Sequence, residues 1–125
     1  MMPDFLLEEI ESLRRGGLKV ERSEAEGWFN VVFLGYPLPP GYNKPAADLL
    51  LKLPLSYRNG KPDMFWTDVD LRLQNGNIPR SADSVERALD REWRRFSWHP
   101  QDWNPATDDL QTYLEFVNRR LAQAV

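Results

Sequence analysis

Residues 47–66 read ADLLLKLPLSYRNGKPDMFW, and this stretch decides the fold. Its leucine-rich start predicts a strand over 47–53, and its prolines and glycine predict a turn-rich crossing over 54–62. A further strand is predicted over 64–73. The residues expected on one face of that strand are Phe65, Val69, Leu71 and Leu73. Because short connections between consecutive strands favour antiparallel pairing, this stretch predicts the middle of an antiparallel sheet.

Two more strands are predicted ahead of this stretch. Residues 18–22 alternate between apolar and polar side chains, and residues 28–34 are rich in aromatic and β-branched ones. A polar turn over 23–27 is expected to join them. Residues 35–45 hold four prolines and two glycines, which predicts a structured loop. The predicted sheet therefore has four strands.

Helical patterns flank the predicted strands. The first covers 4–15, with Asp4 as its expected N-cap. The last begins after Thr107, its expected cap, with Asp108 and Asp109 in the first turn, where acidic side chains suit the helix dipole. Both helices carry an apolar stripe and are predicted to bury it. The stripe residues are Leu6, Ile10 and Leu13 in the first helix and Leu110, Tyr113, Leu114, Val117 and Leu121 in the last.

The second half of the chain changes character after a break at 75–77. Residues 84–93 have weak helical spacing, and residues 93–104 are aromatic and irregular. The order helix, four strands, irregular segment, helix predicts an α+β fold. In this fold a four-stranded antiparallel meander carries its helices on one face. At 125 residues the chain is expected to form a single domain over 1–125.

Composition excludes several classes of function. The net charge of -3 argues against a general nucleic-acid binder, and the apolar runs are too short to span a membrane. The chain has no cysteine, which rules out disulfides, zinc–thiolate sites and thioester chemistry. A single histidine does not build a histidine metal site, and no glycine-rich phosphate loop is present. No metal or other cofactor is expected.

His99 is the only histidine, and it lies two residues after Ser97. Histidine is the usual general base near neutral pH, and a serine becomes a nucleophile only beside such a base. Pro100 favours an extended backbone at His99, and in an extended chain side chains two apart share a face. The imidazole is then expected to reach the Ser97 hydroxyl directly or through one water. The alternative is that both are loop residues packed among tryptophans.

Neighbouring polar residues extend this candidate site. Asp102 is expected to orient the imidazole, as the third member of a triad does, and Asn104 is a candidate oxyanion donor. Asp63 and Asp68 are expected to form turn and strand-end hydrogen bonds, and the alternative is a carboxylate pair for hydrolysis. The aromatic residues interpreted as core and lid packing are Trp93, Phe96, Trp98 and Trp103. The arginines interpreted as a solvated face, or alternatively as facing an acidic partner, are Arg91, Arg94 and Arg95.

Short motifs along nearly the full length carry a resemblance to a known family. They are PLPPGYN at 37–43, PDMFWTD at 62–68, RFS at 95–97 and DDL at 108–110. The tripeptide Trp103-Asn104-Pro105 is similar to the Trp-x-Pro that precedes a helix in ubiquitin-conjugating enzymes. The order of elements is also that of their fold. The chain most closely resembles the bacterial family E of ubiquitin-conjugating-enzyme-like proteins.

The resemblance implies two partners, a ubiquitin-like protein and its activating enzyme. It also implies a phage-defence role in a bacterial operon with a deconjugating metalloprotease. A cytoplasmic location is expected because the absence of cysteine fits a reducing compartment. Better-known relatives form a thioester on a cysteine, which this chain lacks. In those relatives the nucleophile comes shortly before the Trp-x-Pro, and Ser97 lies six residues before Trp103. Ser97 is therefore the hypothesised acceptor of the ubiquitin-like protein's C-terminal acyl group, as an oxyester.

Two functions follow from these observations. The first is a carrier that takes a ubiquitin-like protein from the activating enzyme and passes it to an amine or hydroxyl. The second is a catalytically inactive module that binds the ubiquitin-like protein or the activating enzyme. A stand-alone hydrolase fits worst, because the chain has no Gly-x-Ser-x-Gly nucleophile turn.

Overall fold

The computed structural model describes residues 1–125, in which six antiparallel strands lie between two helices. The helices are α1 (Asp4–Arg15) and α2 (Leu110–Leu121). The strands are β1 (Lys19–Ala25), β2 (Trp28–Pro37), β3 (Ala46–Leu53), β4 (Phe65–Thr67), β5 (Ser84–Ala88) and β6 (Arg91–Phe96). They form one sheet in the order β1-β2-β3-β4-β6-β5. The predicted α+β class is confirmed, with six strands where four were expected.

The first hairpin is longer than predicted. Glu26 and Gly27 have φ of +59° and +83°, the left-handed backbone that a two-residue type I′ turn requires. Ala25 therefore pairs directly with Trp28, and only two residues form the turn. The predicted polar turn over 23–27 begins too early, because residues 23–25 belong to β1. β2 also continues past its predicted end, across a β-bulge.

β4 is much shorter than the strand predicted over 64–73. Only Phe65–Thr67 pair within the sheet. Beyond them, the guanidinium of Arg94 donates hydrogen bonds to the carbonyl oxygens of Val69, at 3.1 and 2.9 Å, and of Ala82, at 2.6 Å. This side chain takes the place of strand pairing for the departing segment. The predicted solvated face is wrong for Arg94, which is only 3% exposed.

A hairpin of β5 and β6 replaces the helical spacing noted over 84–93. Leu89 and Asp90 form its turn, with φ of +51° and +62°. β6 also pairs with β4, so that Phe65 lies opposite Phe96. These non-local pairings satisfy the backbone of the segment and outweigh its weak helical pattern. The hairpin therefore adds two strands to the predicted meander.

Both flanking helices are confirmed, but their caps differ from the predictions. α1 starts at Asp4, and its N-cap is Pro3, which makes no side-chain cap. α2 is capped by Asp109, whose carboxylate accepts a hydrogen bond from the N–H of Thr112 at 3.0 Å. The Thr112 hydroxyl accepts one from the N–H of Asp109 at 2.9 Å, which completes a capping box. The predicted cap Thr107 lies outside α2, and every predicted stripe residue is buried.

The helices cover one face of the sheet, as predicted. Apolar side chains of both helices and of alternate strand residues, such as Phe33 and Leu51, form a core of 23 buried residues. The intervening strand residues face the other side. There, residues of β2, β3 and β4 and of the β5–β6 hairpin form a second cluster of Val32, Leu50, Trp66, Ala88 and Trp93. Neither helix has the length and apolar character needed to cross a membrane.

Candidate functional site

Two irregular segments lie side by side where β4 begins and β6 ends. They are residues 58–64 and residues 98–103. Three cross-segment hydrogen bonds join them. These run from Met64 N to Trp98 O at 3.2 Å, from Lys61 Nζ to Pro100 O at 3.2 Å and from Trp103 Nε1 to Arg58 O at 2.8 Å. The bonds fix the backbone of each segment against the other, so the side chains they carry are held at defined positions.

A histidine–carboxylate pair forms across these segments. Nδ1 of His99 lies 2.7 Å from Oδ1 of Asp63, and the two side chains are 54% and 43% exposed. In the neutral tautomer that donates from Nδ1, the carboxylate orients the ring and leaves Nε2 free to accept a proton. This is the relation between base and carboxylate in a catalytic triad. The pair therefore has the chemistry of an oriented general base open to solvent.

Tyr113 holds the backbone of Met64, the residue that follows the carboxylate of this pair. Met64, the residue after Asp63, has φ of +59°, which a side chain with a Cβ rarely adopts. Its carbonyl oxygen accepts a hydrogen bond from the Tyr113 hydroxyl at 2.6 Å. Burial raises the pKa of Tyr113, and the charge of Asp63 raises it further, so the phenol stays protonated as a donor.

Ser97 and the His99 imidazole make hydrogen bonds to different partners. Its hydroxyl accepts a hydrogen bond from Arg95 Nε at 3.2 Å, and its N–H donates to the carbonyl of Ser81 at 2.8 Å. The side chain is half-buried and makes no hydrogen bond with His99. The hydroxyl and the imidazole, two residues apart in sequence, thus have different partners.

Asp102 and Asn104 are likewise not joined to the imidazole by a hydrogen bond. Asp102 is exposed. Asn104 forms the turn ahead of α2, since its Oδ1 accepts from Ala106 N at 2.9 Å and its N–H donates to Asp108 at 2.8 Å. Asp63 is the carboxylate that contacts His99, whereas the sequence predicted turn or strand-end hydrogen bonds for it, or a pairing with Asp68. No local pattern signals this pair, because 36 residues separate its members.

A cleft of about 380 Å³ opens between residues 98–103 and α2. Its aromatic walls are Trp98, Trp103, Tyr113 and Phe116, and its polar rim includes Asp102 and Arg119. The packing interpretation is confirmed for Trp93 and Phe96, which are fully buried. Trp98 and Trp103 are half-buried, and they pack on the core while they also line the cleft. The aromatic residues near His99 thus serve both as core and as a surface recess.

Charged residues on the outer face of the sheet are paired within the chain. Arg91 bridges Asp48 at 2.9 Å and Asp68 at 2.8 Å, and Arg95 contacts Glu86 at 2.9 Å. Two of the three arginines that the sequence assigned to a solvated face therefore meet the chain's own carboxylates. No group of three or more histidine, aspartate and glutamate side chains is arranged to hold a metal ion.

Comparison with known proteins gives one match. A family model described as Prokaryotic E2 family E matches residues 6–124. No curated protein and no solved structure matches the chain. The matched range includes α1 from Leu6 onward, all six strands, α2 and the His99–Asp63 pair.

Proposed function

We propose a function from the premise that this chain belongs to prokaryotic E2 family E and is an E2-like conjugating module. In this proposal it takes the C-terminal acyl group of a ubiquitin-like protein from an activating enzyme, in the cytoplasm. The chain has no cysteine, so the acyl group is not held as a thioester. Ser97 holds it as an oxyester, and the His99–Asp63 pair supplies the base.

The observation that carries the proposal is the 2.7 Å contact between His99 and Asp63. Nε2 of the oriented imidazole takes the proton of the Ser97 hydroxyl as the oxygen attacks the activated carbonyl. The new bond joins Oγ to the acyl carbon, and the bond from that carbon to the adenylate oxygen or to the activating enzyme's sulfur breaks. The step requires the hydroxyl to leave Arg95, its partner at 3.2 Å, and turn toward the imidazole.

A second candidate function is a catalytically inactive module that binds the ubiquitin-like protein or the activating enzyme. The hydrogen bond from Arg95 to the Ser97 hydroxyl favours this alternative, because the hydroxyl is engaged by a guanidinium and not by a base. In this alternative the aromatic cleft beside α2 supplies the binding surface. Asp102, which the sequence suggested as an orienting group, lines that cleft. Asn104, the suggested oxyanion donor, lies in the turn ahead of α2. Both roles stay predictions.

The experiment mixes the protein with its cognate activating enzyme, ubiquitin-like protein and ATP, and resolves adducts by gel and mass spectrometry. An oxyester on Ser97 resists thiol reductants and is cleaved by hydroxylamine. Ser97→Ala is expected to abolish it, and His99→Gln to slow it about 10²–10⁴-fold, the usual contribution of a general base. Ser84→Ala is the matched control, since Ser84 also accepts a hydrogen bond from Arg95, at 3.4 Å.

The outcomes separate the two functions. An adduct that survives Ser97→Ala contradicts the assignment of Ser97. A stable complex without any covalent adduct supports the inactive binding module instead. The operon and phage-defence setting implied by the family resemblance stays a prediction in either case.

A further inference from the structure

One lysine amine contacts the backbone of the segment that carries His99. Nζ of Lys61 donates a hydrogen bond to the carbonyl oxygen of Pro100 at 3.2 Å, and Pro100 directly follows His99. Lys61 also lies two residues before Asp63, in the segment that carries the carboxylate. The amine is thereby anchored between the backbones that present the two members of the pair.

The other three lysines of the chain lie in different surroundings. Lys44 is fixed by Asp68 and Asp70, each at 2.7 Å. Lys52 lies over the ring of Trp66 at 4.5 Å from its centroid, on the outer face of the sheet. Lys19 is exposed on β1, the edge strand at the end of the sheet opposite the β5–β6 hairpin. Lys61 is the lysine that contacts the segment of His99.

We infer that Lys61 is an acyl-acceptor amine, which receives the activated C-terminus of a ubiquitin-like protein as an isopeptide on the chain itself. This inference rests on the proposed function and names a second acceptor at the same site. The ammonium first gives one proton to solvent, and the free amine then attacks the carbonyl of the acyl-adenylate or thioester, so that a bond forms between Nζ and the acyl carbon. The bond to the leaving oxygen or sulfur breaks, and its electron pair leaves with AMP or the thiolate. The proton lost by nitrogen passes to Nε2 of His99.

The contacts of Lys61 suit this chemistry. A lysine ammonium has three N–H donors, and the carbonyl of Pro100 engages one of them. A neutral carbonyl orients the amine without the ion-pair attraction that holds Lys44 between two carboxylates. The nearest carboxylate along the segment, Asp63, is engaged by His99. Lys61 is also exposed, so a protein C-terminus has access to it.

The first test uses a small acyl donor, p-nitrophenyl acetate, on the intact protein, and measures acetylation of each lysine by peptide mass spectrometry. Lys61 is expected to be acetylated about 10²-fold faster than Lys19. This factor is the lower end of the rate enhancement that a general base usually gives. His99→Gln is expected to lower the acetylation rate of Lys61 to that of Lys19 and to leave the rate of Lys19 unchanged. Equal rates for the two lysines, or no response to His99→Gln, would overturn the inference.

The second test uses the activating enzyme, the ubiquitin-like protein and ATP. An isopeptide on Lys61 resists hydroxylamine and is lost in Lys61→Arg but kept in the matched variant Lys19→Arg. Arginine keeps the charge and the donor to Pro100 but is not a nucleophile. Circular dichroism of Lys61→Arg checks that the fold is retained.

The two tests separate this inference from the proposed function. A hydroxylamine-resistant adduct on Lys61 that survives Ser97→Ala supports this inference and contradicts the serine carrier. The absence of any protein adduct contradicts both, whatever the acetylation rate of Lys61. A hydroxylamine-labile adduct on Ser97 with slow acetylation of Lys61 supports the carrier and overturns this inference.

Discussion

Glu9 joins three parts of the chain through one carboxylate. Its Oε1 accepts hydrogen bonds from the Tyr57 hydroxyl at 2.7 Å and from Leu110 N at 2.8 Å, and its Oε2 contacts Arg58 at 3.2 Å. Burial raises the pKa of Tyr57, and Glu9 raises it further, so the phenol remains a donor. The side chain is only 10% exposed. Glu9 thereby ties α1 and the start of α2 to the segment that leads to Lys61.

Replacing Glu9 by alanine is expected to destabilise the protein by about 2–3 kcal/mol, because the Tyr57 hydroxyl and the Leu110 N–H lose a charged acceptor in a poorly hydrated place. Glu8→Ala is the control on the same helix, and its exposed side chain is expected to contribute no more than about 0.5 kcal/mol. Urea unfolding of both variants measures the difference. Equal effects would contradict the bridging role of Glu9.

At the scale of elements, the β5–β6 hairpin is the part that differs most from the sequence pattern. Val85, Leu89 and Trp93 recur every four residues, which suits a helix. In the structure the middle residue is in the turn, Val85 is 44% exposed and Trp93 is 1% exposed. The same spacing therefore spans two strands and their turn. Pairing of β6 with β4 decides between these outcomes, and it lies outside the local pattern.

Glycine substitutions distinguish a hairpin from a helix in this segment. Asp90→Gly is expected to stabilise the protein by up to about 1 kcal/mol, because Asp90 has a left-handed φ of +62° that glycine adopts without steric cost. Glu92→Gly, in the interior of β6, is expected to destabilise it by roughly 0.5–1 kcal/mol. Both positions are exposed, so little packing changes. Thermal unfolding measures both, and a loss of stability at both positions would favour a helix.

At the scale of the whole molecule, the two apolar clusters share the same strands. The large core takes residues such as Val31 and Leu51 from β2 and β3, and the small cluster takes Val32 and Leu50 from the opposite faces of those strands. Disrupting the sheet on one side therefore removes support from the other. This arrangement favours unfolding as a single unit, which the predicted single domain over 1–125 requires.

Urea unfolding followed by far-ultraviolet circular dichroism and by tryptophan fluorescence is expected to give coincident transitions. Trp66 and Trp93 report on the small cluster, and the circular dichroism signal reports on both helices and the sheet. A fluorescence transition at lower urea that disappears in Trp93→Phe would mean that the β5–β6 hairpin opens by itself, since Trp98 and Trp103 report on the large core. Trp93→Phe, which keeps an aromatic ring in the cluster, identifies the part of the signal that comes from the hairpin.

The sequence by itself determined the two helices, β3 and the α+β class, because these depend on periodicities within a dozen residues. The Leu110 to Leu121 stripe predicts α2 in this way, and all of its residues are buried. Family membership was also readable from local motifs, and the family match confirms it. The end of β4 was not readable, since the chain leaves the sheet where Arg94 binds the carbonyls of Val69 and Ala82.

Only the tertiary structure decided which groups meet at the candidate site. Proximity in sequence suggested Ser97 and Asp102 as partners of His99, and the imidazole instead contacts Asp63, 36 residues away. The same folding brings Lys61 to Pro100, across 39 residues. The physical reason is that antiparallel pairing of β4 with β6 aligns the segments that precede and follow these strands. That pairing depends on packing of the whole sheet, which no local pattern encodes.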